Sequence, residues 1–60
     1  MNSFKTVGGE NIPFDSVTDL KLELQKDVAS NEITAYLVEY EDNIYQISET
    51  TYDAIVKLKE

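Results

Sequence analysis

A chain of 60 residues that contains neither cysteine nor histidine must hold itself together by packing alone. No disulfide can form, and a structural zinc site is not expected where thiolate and imidazole are both missing. So short a chain buries a smaller share of its surface than a longer one, and small domains commonly compensate with a disulfide, a metal or a partner. A partner is the remedy left to this one, so a homodimer is expected ahead of a monomer. The length allows a single domain, residues 1–60.

The apolar residues fall in patterned runs, which argues for a folded domain rather than an acidic disordered tail. Phe4-Lys5-Thr6-Val7 and Glu10-Asn11-Ile12-Pro13-Phe14 flank Gly8-Gly9, the signature of a short hairpin. Pro13 has no N–H, so the second run is expected at an edge or merely extended. Asp15 and Ser16 are both helix N-cap candidates, and Ser16-x-x-Asp19 approximates a capping box. Val17, Leu20, Leu24 and Val28 then recur at helical spacing, which predicts a helix. Leu20-Lys21-Leu22-Glu23-Leu24 also alternates as a half-buried strand would. The helix is preferred because Lys, Glu, Leu and Gln are better helix formers than strand formers.

After a polar break at residues 29–32, Ile33 to Tyr40 is dense in β-branched and aromatic residues and is the best strand in the chain. Asp42-Asn43 suits a tight two-residue turn, and Ile44 to Ile47 returns as the partner strand. That turn places Tyr40 opposite Tyr45 and Val38 opposite Ile47, with Tyr36 on the same side. Ser48 caps a closing helix along which Tyr52, Ile55, Val56 and Lys59 line one side. The expected fold is therefore a small α+β domain: N-terminal hairpin or extended segment, helix, antiparallel hairpin, C-terminal helix.

Few chemistries fit this inventory. Ser–His–Asp and Cys–His arrangements are impossible, and no sequence feature sets a serine beside a lysine in a cleft. A carboxylate pair could serve a glycosidase, but so small a domain has little room for a substrate pocket. No enzymatic activity and no cofactor are expected. Asp15, Asp19, Glu23 and Asp27 would form a carboxylate stripe on a helix, yet the ligand spacing of a calcium loop is absent, so a solvated acidic face is expected. Gly8-Gly9 lacks the rest of a phosphate-loop motif and is read as a turn. Most of the tyrosines are expected in the core. Leu22, exposed on the helical reading, joins Ile33, Ala35 and Leu37 as the candidate apolar surface for a dimer or partner.

The formal charge of −7 argues against direct contact with nucleic acid or an anionic membrane, and favours a basic protein partner. No run approaches the roughly 20 apolar residues of a membrane span. With no signal segment at the amino terminus, a cytoplasmic protein is expected. All five lysines lie outside residues 27–56, where Glu10, Asp15, Asp19, Glu23 and Glu60 balance them. The whole −7 therefore falls within that window. Glu39, Tyr40, Glu41, Asp42, Glu49 and Asp53 are the candidate partner-binding residues.

In its size, acidity and the stretch Asn43-Ile44-Tyr45-Gln46-Ile47-Ser48-Glu49-Thr50-Thr51-Tyr52, the chain resembles small acidic proteins that phages use to block host enzymes or defence systems. The resemblance implies a phage-encoded inhibitor acting in the bacterial host cell, and assigns no site residues. Three other functions remain open: a DNA mimic, a protein that sequesters a small signalling molecule, and an accessory or assembly subunit. The lack of arginine counts against capture of an anionic nucleotide.

Overall fold

The computed structural model describes residues 2–60. Strands β1 (Asn2–Lys5) and β2 (Asn11–Phe14) form an antiparallel hairpin. Its loop is closed by Gly9 N–H donating to the Thr6 carbonyl at 3.0 Å and Thr6 N–H donating to the Glu10 carbonyl at 2.8 Å. Gly9 adopts φ +89°, a conformation in which a side chain would be strained. Thr6 is buried, and its Oγ1 accepts from the Glu10 N–H at 3.2 Å. Ladder bonds alternate along an antiparallel pair, so from Thr6–Glu10 they fall next on Phe4–Ile12 and Asn2–Phe14. Pro13, opposite Ser3, sits at a position whose N–H would face away from β1, and the proline costs no ladder bond.

A helix does begin at Ser16, but it lasts one 3₁₀ turn, Val17–Asp19. Leu20 is already extended, and Lys21–Lys26 forms strand β3. This corrects the helix expected across Val17 to Val28. That helix would have buried Leu24 and Val28, which are 40% and 100% exposed. The strand instead aligns Leu20, Leu22 and Leu24 on one face, where Leu20 is fully buried and Leu22 half-buried against the core. Helix propensity among these residues differs by at most about 0.7 kcal/mol each. Burying a leucine is worth roughly 1.5–3 kcal/mol, and β4 supplies a full ladder besides. Packing therefore overrides local preference. The carboxylate stripe dissolves with the helix: Glu23 lies on β3 and Asp27 in the turn beyond it.

Strand β4 (Ile33–Tyr40) is central in a three-stranded antiparallel sheet, between β3 and β5 (Asn43–Ile47). Thr34 is the extra residue of a bulge, since Gln25 pairs with Ala35 but Lys26 with Ile33, and its Oγ1 donates to the Gln25 carbonyl at 3.1 Å. The β4–β5 turn sits at Glu41-Asp42, with φ +49° and +64°, one residue earlier than the sequence suggests. Tyr36 therefore pairs with Ile47, Val38 with Tyr45 and Tyr40 with Asn43. The expected pairing slips by two residues. Such a slip preserves faces, so Tyr36, Val38, Tyr40, Tyr45 and Ile47 still share one side.

The closing helix α1 (Glu49–Lys59) is capped by Ser48, whose Oγ accepts from the Thr51 N–H at 3.2 Å. Ile55 is buried, Tyr52 and Val56 are half-buried, and the Lys59 ammonium donates to the Leu20 carbonyl at 2.6 Å. The result is α+β. Phe4, Phe14, Leu20, Val38, Ile47 and Ile55 form one core shared by the first hairpin, the larger sheet and the helix. The four tyrosines are half-buried, and all pack against that core as expected. Phe4 stacks edge-on against Tyr45 with centroids 5.6 Å apart, tying the two sheets together.

Candidate functional site

The six candidate partner-binding residues do not form one patch. Tyr40, Glu41 and Asp42 make the tip of the β4–β5 hairpin. Glu49 and Asp53 lie on the first turns of α1, beside Tyr36 and Tyr52. Tyr36 is four residues back from Tyr40, which at about 3.3 Å per residue separates the groups by roughly 13 Å. Glu39 alternates to the other face of the sheet, between Lys21 on β3 and Ile44 on β5. Its charge therefore has a lysine in the facing position, which position along the chain could not reveal.

The tip also gathers residues that sequence reasoning had placed elsewhere. The phenol of Tyr40 is held above the ordinary tyrosine value, first by partial burial, then by the carboxylates of Glu41, Asp15 and Asp19. Asp15 and Asp19 bracket the 3₁₀ turn and were read as part of a helical stripe balanced by lysines. The fold carries them to Tyr40 instead. The backbone of the tip is fixed by Asn43, whose Nδ2 donates to the Glu41 carbonyl at 3.2 Å.

At the second group, the Tyr36 hydroxyl donates to the Glu49 carboxylate at 3.1 Å, and the Tyr36 and Tyr52 rings meet at 5.1 Å. Partial burial raises the Tyr36 phenol, helped by Glu49 and then by Asp53. These side chains satisfy one another, which makes the group a structural joint between sheet and helix. Among the described residues the surface forms no cavity, and no trio of carboxylates is placed to hold a metal ion. No described helix is long and apolar enough to cross a membrane.

The candidate apolar surface is divided too. Leu22 faces the core beside Val38, whereas Ala35 and Leu37 lie half-buried on the opposite face, and Ile33 is exposed at the bulge. The larger exposed apolar residue of that outer face is Ile44, at 64%, which sequence reasoning had assigned no surface role. No family model, curated protein or solved structure matches the chain.

Proposed function

We propose that this is a non-enzymatic inhibitor or regulator that acts by occupying the surface of a basic bacterial protein with the tip of its β4–β5 hairpin. The reading rests on one observation: Asp15 and Asp19 lie close enough to Tyr40 to raise its phenol alongside burial and Glu41, although more than 20 positions of sequence separate the two segments. Tyr40 offers a half-buried, pre-positioned ring as an anchor, and tyrosine is favoured at the centres of interfaces. The surrounding carboxylates steer a basic partner and reject acidic ones. Charge then governs association rate and salt sensitivity, while the ring governs residence time. The resemblance to small acidic phage proteins supports the same reading and adds a phage origin and a host target in the bacterial cytoplasm.

Affinity capture from bacterial extract at rising salt tests it. A variant with Asp15→Asn, Glu41→Gln and Asp42→Asn should lose a partner that the wild type retains at low ionic strength. Equal retention by both proteins, or no retained partner even at low salt, overturns the proposal. If DNA displaces the captured partner, the blocked surface is a nucleic-acid groove and the carboxylates stand in for phosphates.

A further inference from the structure

Among the described residues the outer edge of β3 is unpaired, and its chemistry fits a second copy of this chain. The backbone directions follow from the tight turn at Glu41-Asp42. In a two-residue hairpin the flanking pair, Tyr40–Asn43, exchanges both ladder bonds, and bonded pairs recur at every second position. Tyr36, Val38 and Tyr40 therefore bond to β5, and Ala35, Leu37 and Glu39 bond to β3. The Val7 N–H confirms the alternation, because it donates at 2.9 Å to the Gln46 carbonyl, which faces away from β4. On β3, Lys21, Glu23 and Gln25 are thus engaged with β4. Asp27 N–H also turns inward, to the Glu32 carbonyl at 2.8 Å. The N–H and C=O groups of Leu22, Leu24 and Lys26 point off the sheet. At Leu20 the same edge is closed by the Lys59 ammonium on the carbonyl.

We infer that two copies pair antiparallel along β3, with Leu24 on the two-fold axis, to form a continuous six-stranded sheet. Outward-facing residues must meet outward-facing residues, so the axis can fall at any residue from Leu22 to Lys26. At Lys26 two ammonium groups would face each other, and at Gln25 the carboxylates of Glu23 and Asp27 would. At Glu23 two carboxylates would face each other directly, which is destabilising. At Leu22 the partner strand would run onto Leu20, where Lys59 already sits. At Leu24 the whole free edge, Leu22 to Lys26, is used symmetrically. The opposed pairs are then Leu24 with Leu24, Leu22 with Lys26, Glu23 with Gln25, and Lys21 with Asp27. No like charges face each other, and Lys21 meets Asp27 twice.

Charge favours this surface for self-association. The paired segment carries Lys21 and Lys26 against Glu23 and Asp27, so two chains of net charge −7 meet where each is locally neutral and the charges are complementary. Leu24, 40% exposed in the protomer, gains its twin as cover. The hairpin tip lies towards the Lys21 end of β3, because Lys21 pairs with Glu39. The two-fold therefore sends the acidic tips in opposite directions, free to engage two partners. The dimer is independent of the function proposed above, since it is measured on the isolated protein.

The full chain, examined by light scattering after size exclusion, should show twice the 6.8 kDa protomer mass towards millimolar concentration. Leu24→Cys should cross-link efficiently under mild oxidation, because bonded antiparallel pairs hold Cα atoms about 5.5 Å apart, within disulfide reach. Ile44→Cys, on the other edge strand, should not. Leu24→Pro removes only an outward N–H and should abolish the dimer while circular dichroism still reports a folded chain. A wild type that stays monomeric throughout, equal cross-linking at both cysteines, or a folded Leu24→Pro protein that remains dimeric overturns the inference. Should Leu24→Pro fail to fold, the cysteine pair decides.

Discussion

Ser16 and Ser48 each cap a turn of helix, accepting a backbone N–H from Thr18 at 3.3 Å and from Thr51 at 3.2 Å. Beyond the first turn the two segments part. The chain after Ser16 leaves the helix at Leu20 and becomes β3, while the chain after Ser48 runs helically to Lys59. After Ser48 the apolar residues are Tyr52, Ile55 and Val56, with Glu49 at the positive end of the helix and Lys57 and Lys59 at the negative end. After Ser16 a helix would set Asp15, Asp19, Glu23 and Asp27 at repelling i, i+4 positions. It would also turn Leu22 away from the core. A cap permits a helix to start; the spacing of what can be buried decides whether it continues.

The sharpest way to break this comparison is to truncate the leucines. Leu20→Ala removes a fully buried side chain and should cost about 2–5 kcal/mol, as should Ile55→Ala on α1. Either loss takes much of the stability expected of a small domain. Val28→Ala should change stability by no more than about 0.5 kcal/mol. Were residues 17–28 helical, Leu20 and Val28 would share one face and Val28 would cost far more. Chemical denaturation of the three variants separates the possibilities.

The caps give a smaller effect. Ser48→Ala should cost about 1 kcal/mol, because Ser48 starts a helix whose Ile55 anchors the core. Ser16→Ala should cost a fraction of that, since its turn is one residue from extended chain and its bond is exposed. Equal losses in thermal melts of the two variants would mean that the 3₁₀ turn is a folding element in its own right.

Much of this division was legible in the sequence. Ser48, the spacing of Tyr52, Ile55 and Val56, Gly8-Gly9 and the run Ile33–Tyr40 each point to the element that forms, because local preference and burial agree there. At Leu20 to Leu24 they disagree. The alternation of leucines was visible, but its weight depended on β4 needing a neighbour. The hairpin turn shows the same conflict. Asp42-Asn43 is the better pair for positive φ, yet Ile47 is held against Tyr36 by α1, through the Tyr36–Tyr52 stack and the Glu49 carboxylate. That forces Glu41 to φ +49°. Glu41→Asn should therefore raise stability by about 0.5 kcal/mol, since asparagine tolerates the left-handed region better. The acidic tip was half legible for a related reason. Glu41 and Asp42 are adjacent in the chain, whereas Asp15 and Asp19 reach Tyr40 only because the segment after Ser16 turns into a strand.

Asp27 offers the finest test, because the two conformations predict opposite signs for its titration. In a helix Glu23 would lie one turn before it, and the like charge would push the Asp27 carboxyl up. In the turn after β3, the carboxylate instead accepts the Ser30 hydroxyl at 2.8 Å and the Ser30 N–H at 3.1 Å, which hold it below the ordinary 3.8. A depressed folded-state value means that the unfolded chain binds the proton more readily. The stabilisation is therefore complete above the unfolded value and is lost as pH falls through the folded one. The group is exposed, so the slope is shallow. Ser30→Ala should move the Asp27 titration, followed by NMR, back towards 3.8, and should flatten the acid limb of the stability profile. An Asp27 that titrates above 3.8 in the wild type would mean that the stripe, and with it the helix, forms in solution.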